Sequence, residues 1–225
     1  MAVEKPYSVV DVQANAEALA DEQFLEAFAA CADMLGACFL YHPVKEAAAD
    51  AFGMLRGIDI AIDWPFGEES DRVRAAALLG AGADEFPDAV AQEFTRMVRG
   101  TGFSPAPAWG SVYMDREKVM YGRTWLMLRD WMRAHGVVGQ YAENDPEDQF
   151  GRLLMLAAEV ARNRPDLLSE LLGDHLLCWS GRFLELFEAG AQTSTYRGVA
   201  VLCRTTLDDV RALLTIEPAV RRIYK

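Results

Sequence analysis

The chain has 225 residues, 52% of them hydrophobic, enough to bury a real core; two small lobes would fit, and one domain over 1–225 is the simpler reading. Its 34 acidic against 22 basic residues give a formal charge of -12, which argues against a nucleic-acid partner and suits a basic one, while also serving solubility. The best candidate for a membrane helix, 153–161, falls well short of the roughly 20 residues required and contains Glu159, so the chain is not expected to be an integral membrane protein.

No basic start followed by an apolar run opens the sequence, so no secretory signal is visible and a cytoplasmic location is expected. Cys31, Cys38, Cys178 and Cys203 have neither zinc-site nor CxxC spacing, and read as reduced core residues. His42, His135 and His175 stand singly, so no metal site is expected.

Runs rich in Ala, Leu, Met and Glu favour helix. The spacing predicts helices over 12–20 and 21–41, the second with Asp21 as N-cap and Phe24, Phe28, Cys31, Leu35 and Cys38 on a core-facing stripe. His42-Pro43 stops it, and a helix over 44–55 follows. Residues 57–71 alternate apolar and polar, but an isolated strand has no partner, so a loop with Trp64-Pro65 tucked into the core is the better reading. Helices over 70–80 and 88–99 come next, the latter carrying Val90, Phe94, Met97 and Val98 on one side. The glycines between them are followed by no GK[ST], so no phosphate-binding loop is present.

The stretch 105–152 has the most particular residue choices. Pro105 and Pro107 stiffen the chain up to Trp109-Gly110-Ser111, where glycine allows a turn. Thr124 to His135 reads as an amphipathic helix ended by Gly136. Asp145-Pro146-Glu147-Asp148 reads as the opening of a helix to about Asn163, with Asp145 as N-cap and proline at the first helical position. Beyond it, Pro165 starts a helix to Gly173, Asp174 caps another through Glu188 that lines up His175, Trp179, Arg182 and Phe183, and a last helix runs over 195–214. The closing EPAVRRIYK is basic, and its Arg221-Arg222 lies at the wrong end to be an export signal. The result is an all-α bundle of nine to eleven helices with almost no sheet.

No nucleophile with its base, metal cluster or phosphate cradle is legible. What remains is an aromatic and acidic surface near Trp109 and Asp148, suited to a peptide carrying arginines and an apolar segment. Guanidinium groups pair with carboxylates as a fork and stack on aromatic faces.

At these residues the sequence resembles the TorD/DmsD family of redox enzyme maturation chaperones. The runs PAPAWGSVYMDREKVMYG, LRDWMRAHG, PEDQFG and HLLCWSGRFLELF stand in the family's order and spacing, with weaker similarity from LGACFLYHP to the last helix. The resemblance implies an all-helical, non-enzymatic chaperone without a cofactor of its own. Its partners would be the twin-arginine signal peptide and catalytic subunit of a molybdopterin-dependent oxidoreductase, with the Tat translocase as a further one. It also implies binding roles for Phe94, Met97, Val98, Trp109, Ser111, Gly122, Pro146, Asp148 and Gln149. At Gln149 the family usually has histidine, and glutamine cannot titrate. Two other readings stay open: a nucleotide-binding or hydrolysing helical protein, and a structural subunit of a redox complex.

Overall fold

The computed structural model describes residues 5–85, 87–100, 104–139 and 145–225. The Gln140 to Asn144 part of the central stretch lies outside them. The chain forms two compact units, one from residues up to Gly36, Trp109–Ser180 and Arg211–Lys225, the other from Ala37–Ala108 and Gly181–Val210.

Among the described residues there are twelve α-helical segments, two of them single turns, and the expected all-α class holds. In chain order they are α1 (Val12–Ala20), α2 (Glu22–Leu40), α3 (Glu46–Gly57), α4 (Ile60–Asp63), α5 (Glu69–Ala81), α6 (Pro87–Phe94), α7 (Gly110–Met114), α8 (Arg123–His135), α9 (Phe150–Asn163), α10 (Leu168–Leu171), α11 (Leu177–Gly190) and α12 (Ser194–Leu213). The only ladder among them pairs β1 (Ser8–Val9) with β2 (Ile216–Glu217), antiparallel, in the first unit. Three helices, α2, α11 and α12, contribute residues to both units.

Local chemistry explains most boundaries. The Asp11 carboxylate accepts from the Gln13 and Ala14 amides at the start of α1, and Asp21 does the same for Gln23 and Phe24 at the start of α2. Gly136 closes α8 in the left-handed conformation at φ 65°, which glycine adopts without steric cost. By length and composition α2 could cross a membrane, which corrects the choice of 153–161 as the best candidate, but 61% of its apolar window is buried. It is a core helix.

Four boundaries differ from expectation. Residues 57–71 hold the turn α4, capped by Asp59, before a buried Trp64 whose Nε1 donates to Thr206 Oγ1 at 2.9 Å. Trp109-Gly110-Ser111 leads into a helix, α7, where a turn was predicted. Gln149, not Asp145, caps α9, its side-chain oxygen accepting from the Arg152 amide at 2.9 Å. Asp174 starts no helix, because Leu172–Leu176 is a π-helical turn that carries α10 into α11.

In the second unit the rings of Phe39, Phe183, Phe187 and Tyr196 pack edge to face at 5.1–5.9 Å. Two acids fix the start of α12. Glu93 is buried and accepts from the Gln192 and Thr193 amides at 3.0 Å while pairing with Arg96, and Glu85 accepts from Ser194 and Thr195. Anionic caps on otherwise unpaired helical N–H groups are favoured by the helix dipole as well.

Candidate functional site

The site assembles around Asp148 in the first unit. Extended backbone at Trp109 bridges Gln149 antiparallel, and the Gly110 amide donates to the Asp148 carbonyl at 3.0 Å. That clip sets the start of α7 against the turn before α9. It brings the Ser111 amide to Asp148 Oδ2 at 2.7 Å, so the carboxylate occupies the N-terminus of α7. A Cβ on Gly110 would meet the Trp179 indole at 3.0 Å, so the close approach selects glycine there.

Asp148 is 3% exposed, and its second oxygen, Oδ1, is buried without a hydrogen-bond partner. The Ser111 hydroxyl and the Trp109 indole nitrogen are also buried and unpartnered. Burial raises the Asp148 pKa, the hydrogen bond from the Ser111 N–H acts against that, and Asp115 adds a smaller upward push. Leaving such groups unsatisfied costs about 1–3 kcal/mol each, more for a charged one. Asp148 therefore has one acceptor oxygen to spare.

Neighbouring carboxylates are already engaged. Asp115 accepts from the Thr124 amide and hydroxyl at 3.0–3.3 Å and so caps α8 from a distance. It lies so close to Gly122 that any Cβ there would collide with it, which gives Gly122 a packing role. Glu147 accepts from Trp125 Nε1 at 2.6 Å, and Arg129 stacks over the same indole at 4.9 Å. Beside Trp125, the Tyr121 ring stands edge-on at 5.1 Å, and Val119, Met120, Tyr121 and Leu126 expose apolar surface. Lys118 and Tyr121 hold positive φ, 52° and 63°, costly for side chains of their size and concentrated in this one exposed loop.

Behind Asp148 lies a cavity of about 10 Å³, room for one water molecule, lined by Met114, Thr124, Asp174, His175 and Arg221 among others. Arg221 approaches Asp174 to 3.6 Å, with side chains only 13% and 18% exposed. Asp174 also accepts the Tyr7 amide at 3.2 Å. Among the described residues no three His, Cys, Asp or Glu side chains converge to hold a metal. Burial pushes the Cys178 thiol up to about 12, and Cys31 likewise, so these are inert core thiols.

His175 packs against Trp131, and burial, helped by the Arg221 charge, pulls its pKa down to about 4. Its folded pKa lies below the unfolded 6.5, so its stabilising contribution is present above pH 6.5 and is lost as pH falls through 4. Asp148, raised, has the opposite sign: its contribution is present below its unfolded pKa and is lost as pH rises. Between pH 7 and 5 the His175 contribution to a urea titration should be a loss of about 2 kcal/mol, at about 1.4 kcal/mol per pKa unit. His175→Gln should flatten that slope, and an unchanged slope would place the titrating group elsewhere.

Of the residues singled out in the sequence, Trp109, Ser111, Asp148 and Gln149 come together here, with Pro146 buried in the same turn and its carbonyl accepting the Gln149 amide. Gln149 is itself buried as the α9 cap. Phe94, Met97 and Val98 belong to the second unit and are buried there. Phe94 lies against His42 at 5.5 Å and under Arg99, while Met97 and Val98 sit in the π-helical turn Thr95–Arg99 that extends α6. Asp115 was not singled out in the sequence, and Asp174, His175 and Arg221 carried other readings there, since the last three line one cavity only through the fold.

A family model described as nitrate reductase delta subunit matches residues 65–185. The chain is 37% identical to "Tat proofreading chaperone DmsD" of Salmonella typhimurium over 88% of this chain and 96% of that one. It is 32% identical to "Probable Tat proofreading chaperone DmsD" of Haemophilus influenzae over 85% and 94%. The fold matches the crystal structure of a candidate redox enzyme maturation protein from Archaeoglobus fulgidus, with a TM-score of 0.50 at 18% identity over 81% and 92% of the two chains. With a family model over more than half its length and relatives this similar along nearly all of theirs, the chain belongs to the TorD/DmsD family of redox enzyme maturation chaperones, which are not enzymes.

Proposed function

We propose that this chain is a cytoplasmic chaperone, acting as one domain over 1–225, that binds the twin-arginine signal peptide of a molybdopterin-dependent oxidoreductase of the DMSO/TMAO reductase kind. It would hold the catalytic subunit through cofactor insertion and release it to the Tat translocase. The relatives named Tat proofreading chaperone support this reading. The observation that carries it is Asp148, a buried carboxylate with one oxygen unpartnered and no compensating cation among its perturbing neighbours. A guanidinium supplies what is missing: donors in a planar fork and a positive charge. Trp109 and Ser111 would add stacking and a hydrogen bond, Gly122, Pro146 and Gln149 shape the turn, and the exposed Tyr121 and Leu126 surface suits the apolar part of the signal. Phe94, Met97 and Val98, buried in the second unit, are kept as the contacts that the family resemblance implies.

The test is calorimetric titration with twin-arginine signal peptides and with the same peptides carrying lysine at both arginines. Lysine keeps the charge and loses the fork. The arginine forms should bind about tenfold more tightly or better, one lost charged hydrogen bond being worth about 1.5–3 kcal/mol. Equal affinity for the two forms would refute the assignment of Asp148 to arginine.

A further inference from the structure

The sequence contains one pair of adjacent arginines, Arg221-Arg222, and the structure lays the segment that carries it across the candidate site. Four backbone bonds hold it there. The Ala219 amide donates to the Gly173 carbonyl at 3.0 Å, Val220 and Lys5 exchange bonds at 2.9 and 3.4 Å, and the Tyr224 amide donates to the Tyr113 carbonyl in α7 at 2.8 Å. Arg221 is thereby turned inward, onto the cavity that Asp148 also lines, and Arg222 turns outward over the Tyr224 ring at 5.0 Å.

We infer that Arg221-Arg222 is an internal stand-in for the client's arginine pair, occupying the guanidinium subsite formed by Asp174, His175 and Asp148 until a signal peptide displaces it. This rests on the proposed function and adds to it the subsite and its resident competitor. Three observations support it. With Arg221 in place the remaining space admits one water molecule and no second guanidinium, so a client arginine can reach Asp148 only when Arg221 withdraws. Arg221 meets Asp174 at 3.6 Å, beyond the 2.7–2.9 Å or so of a charge-assisted hydrogen bond, so that carboxylate has room for a closer guanidinium contact. Asp148 Oδ1 has no partner while Arg221 is directed to Asp174, so an incoming guanidinium gains an acceptor that the resident one leaves unused.

A tethered competitor acts at an effective concentration in the millimolar range for a short link, so its removal should tighten binding measurably. The experiment compares Arg221→Gln, which keeps a hydrogen-bond donor for Asp174, with the unmodified protein by fluorescence anisotropy of a labelled twin-arginine signal peptide. Circular dichroism checks the fold. About tenfold tighter binding by Arg221→Gln is expected, together with competition by free IEPAVRRIYK and none by the same peptide with lysine at both arginines. Unchanged or weaker binding by a folded Arg221→Gln, with the unmodified protein still preferring arginine over lysine signals, would overturn the stand-in and leave the proposed function intact. Absence of arginine preference in both proteins would instead remove the proposed function, and this inference with it. Should Arg221→Gln not fold, competition by free IEPAVRRIYK against the unmodified protein decides: displacement of the signal supports the stand-in, and none rejects it.

Discussion

Asp148→Asn should weaken binding of a twin-arginine signal peptide by about 10- to 100-fold while leaving the melting temperature unchanged or raised. The asparagine carbonyl can still accept the Ser111 amide, so the clip between α7 and the turn before α9 survives. What disappears is the negative charge, and burial already disfavours that charge in the folded chain. A residue kept only for structure would show the reverse pattern. The loss of a charged hydrogen bond to guanidinium, about 1.5–3 kcal/mol, gives the binding figure. Asp148→Ala is the contrasting variant. It leaves the Ser111 amide without its acceptor, and should lose stability as well as binding. If Asp148→Asn binds the signal like the unmodified protein and melts several degrees lower, Asp148 is a helix cap and the arginine subsite lies elsewhere.

Much of the fold was legible because helices announce themselves locally. The 3.6-residue stripe of Phe28, Cys31, Leu35 and Cys38, the cap Asp21, and the Gly136 stop each depend on residues within a turn or two of one another. The failures are equally physical. Asp145-Pro146 has a good helix opening, yet the Pro146 carbonyl accepts the Gln149 amide to close a turn, Gln149 bridges Trp109, and α9 starts only at Phe150. Asp174 looks like a cap, but Tyr7 and Arg221 claim its carboxylate, and the chain passes through it as a π-helical turn.

The site was half legible for a related reason. WGS and PEDQ are contiguous motifs, so the resemblance could mark Trp109, Ser111, Asp148 and Gln149 together. Their geometry depends on the bridge between two strand-like residues forty positions apart, which no periodicity reveals. The partnership of Asp174 with Arg221 is longer still, and the arginine pair, dismissed as an export signal by its position in the chain, acquires meaning only where the fold places it. Gln149 shows the opposite case. Its departure from histidine suggested an altered binding step, whereas the structure uses its side chain to cap α9, a role glutamine fills without titrating.

Trp179→Ala should cost about 3–5 kcal/mol, enough to unfold the first unit or bring it to the edge of unfolding. The indole is 1% exposed and packs against Tyr113 at 5.4 Å and Phe150 at 5.8 Å, with its Nε1 donating to the His175 carbonyl at 2.8 Å. It also underlies Gly110, the residue whose amide reaches the Asp148 carbonyl. One side chain therefore supports both α7 and the first turn of α9, the two elements that position the acid. Trp179→Phe removes the hydrogen bond and part of the volume but keeps a ring between Tyr113 and Phe150, so it should lose less, about 1–2 kcal/mol. Chemical denaturation measures both. The Phe variant, still folded, should bind signal peptide more weakly, because a looser α7 presents the Ser111 amide and Asp148 less rigidly. A Trp179→Phe protein with full stability and full affinity would show that α7 is held by its own contacts and that Trp179 contributes only to the filling of the core.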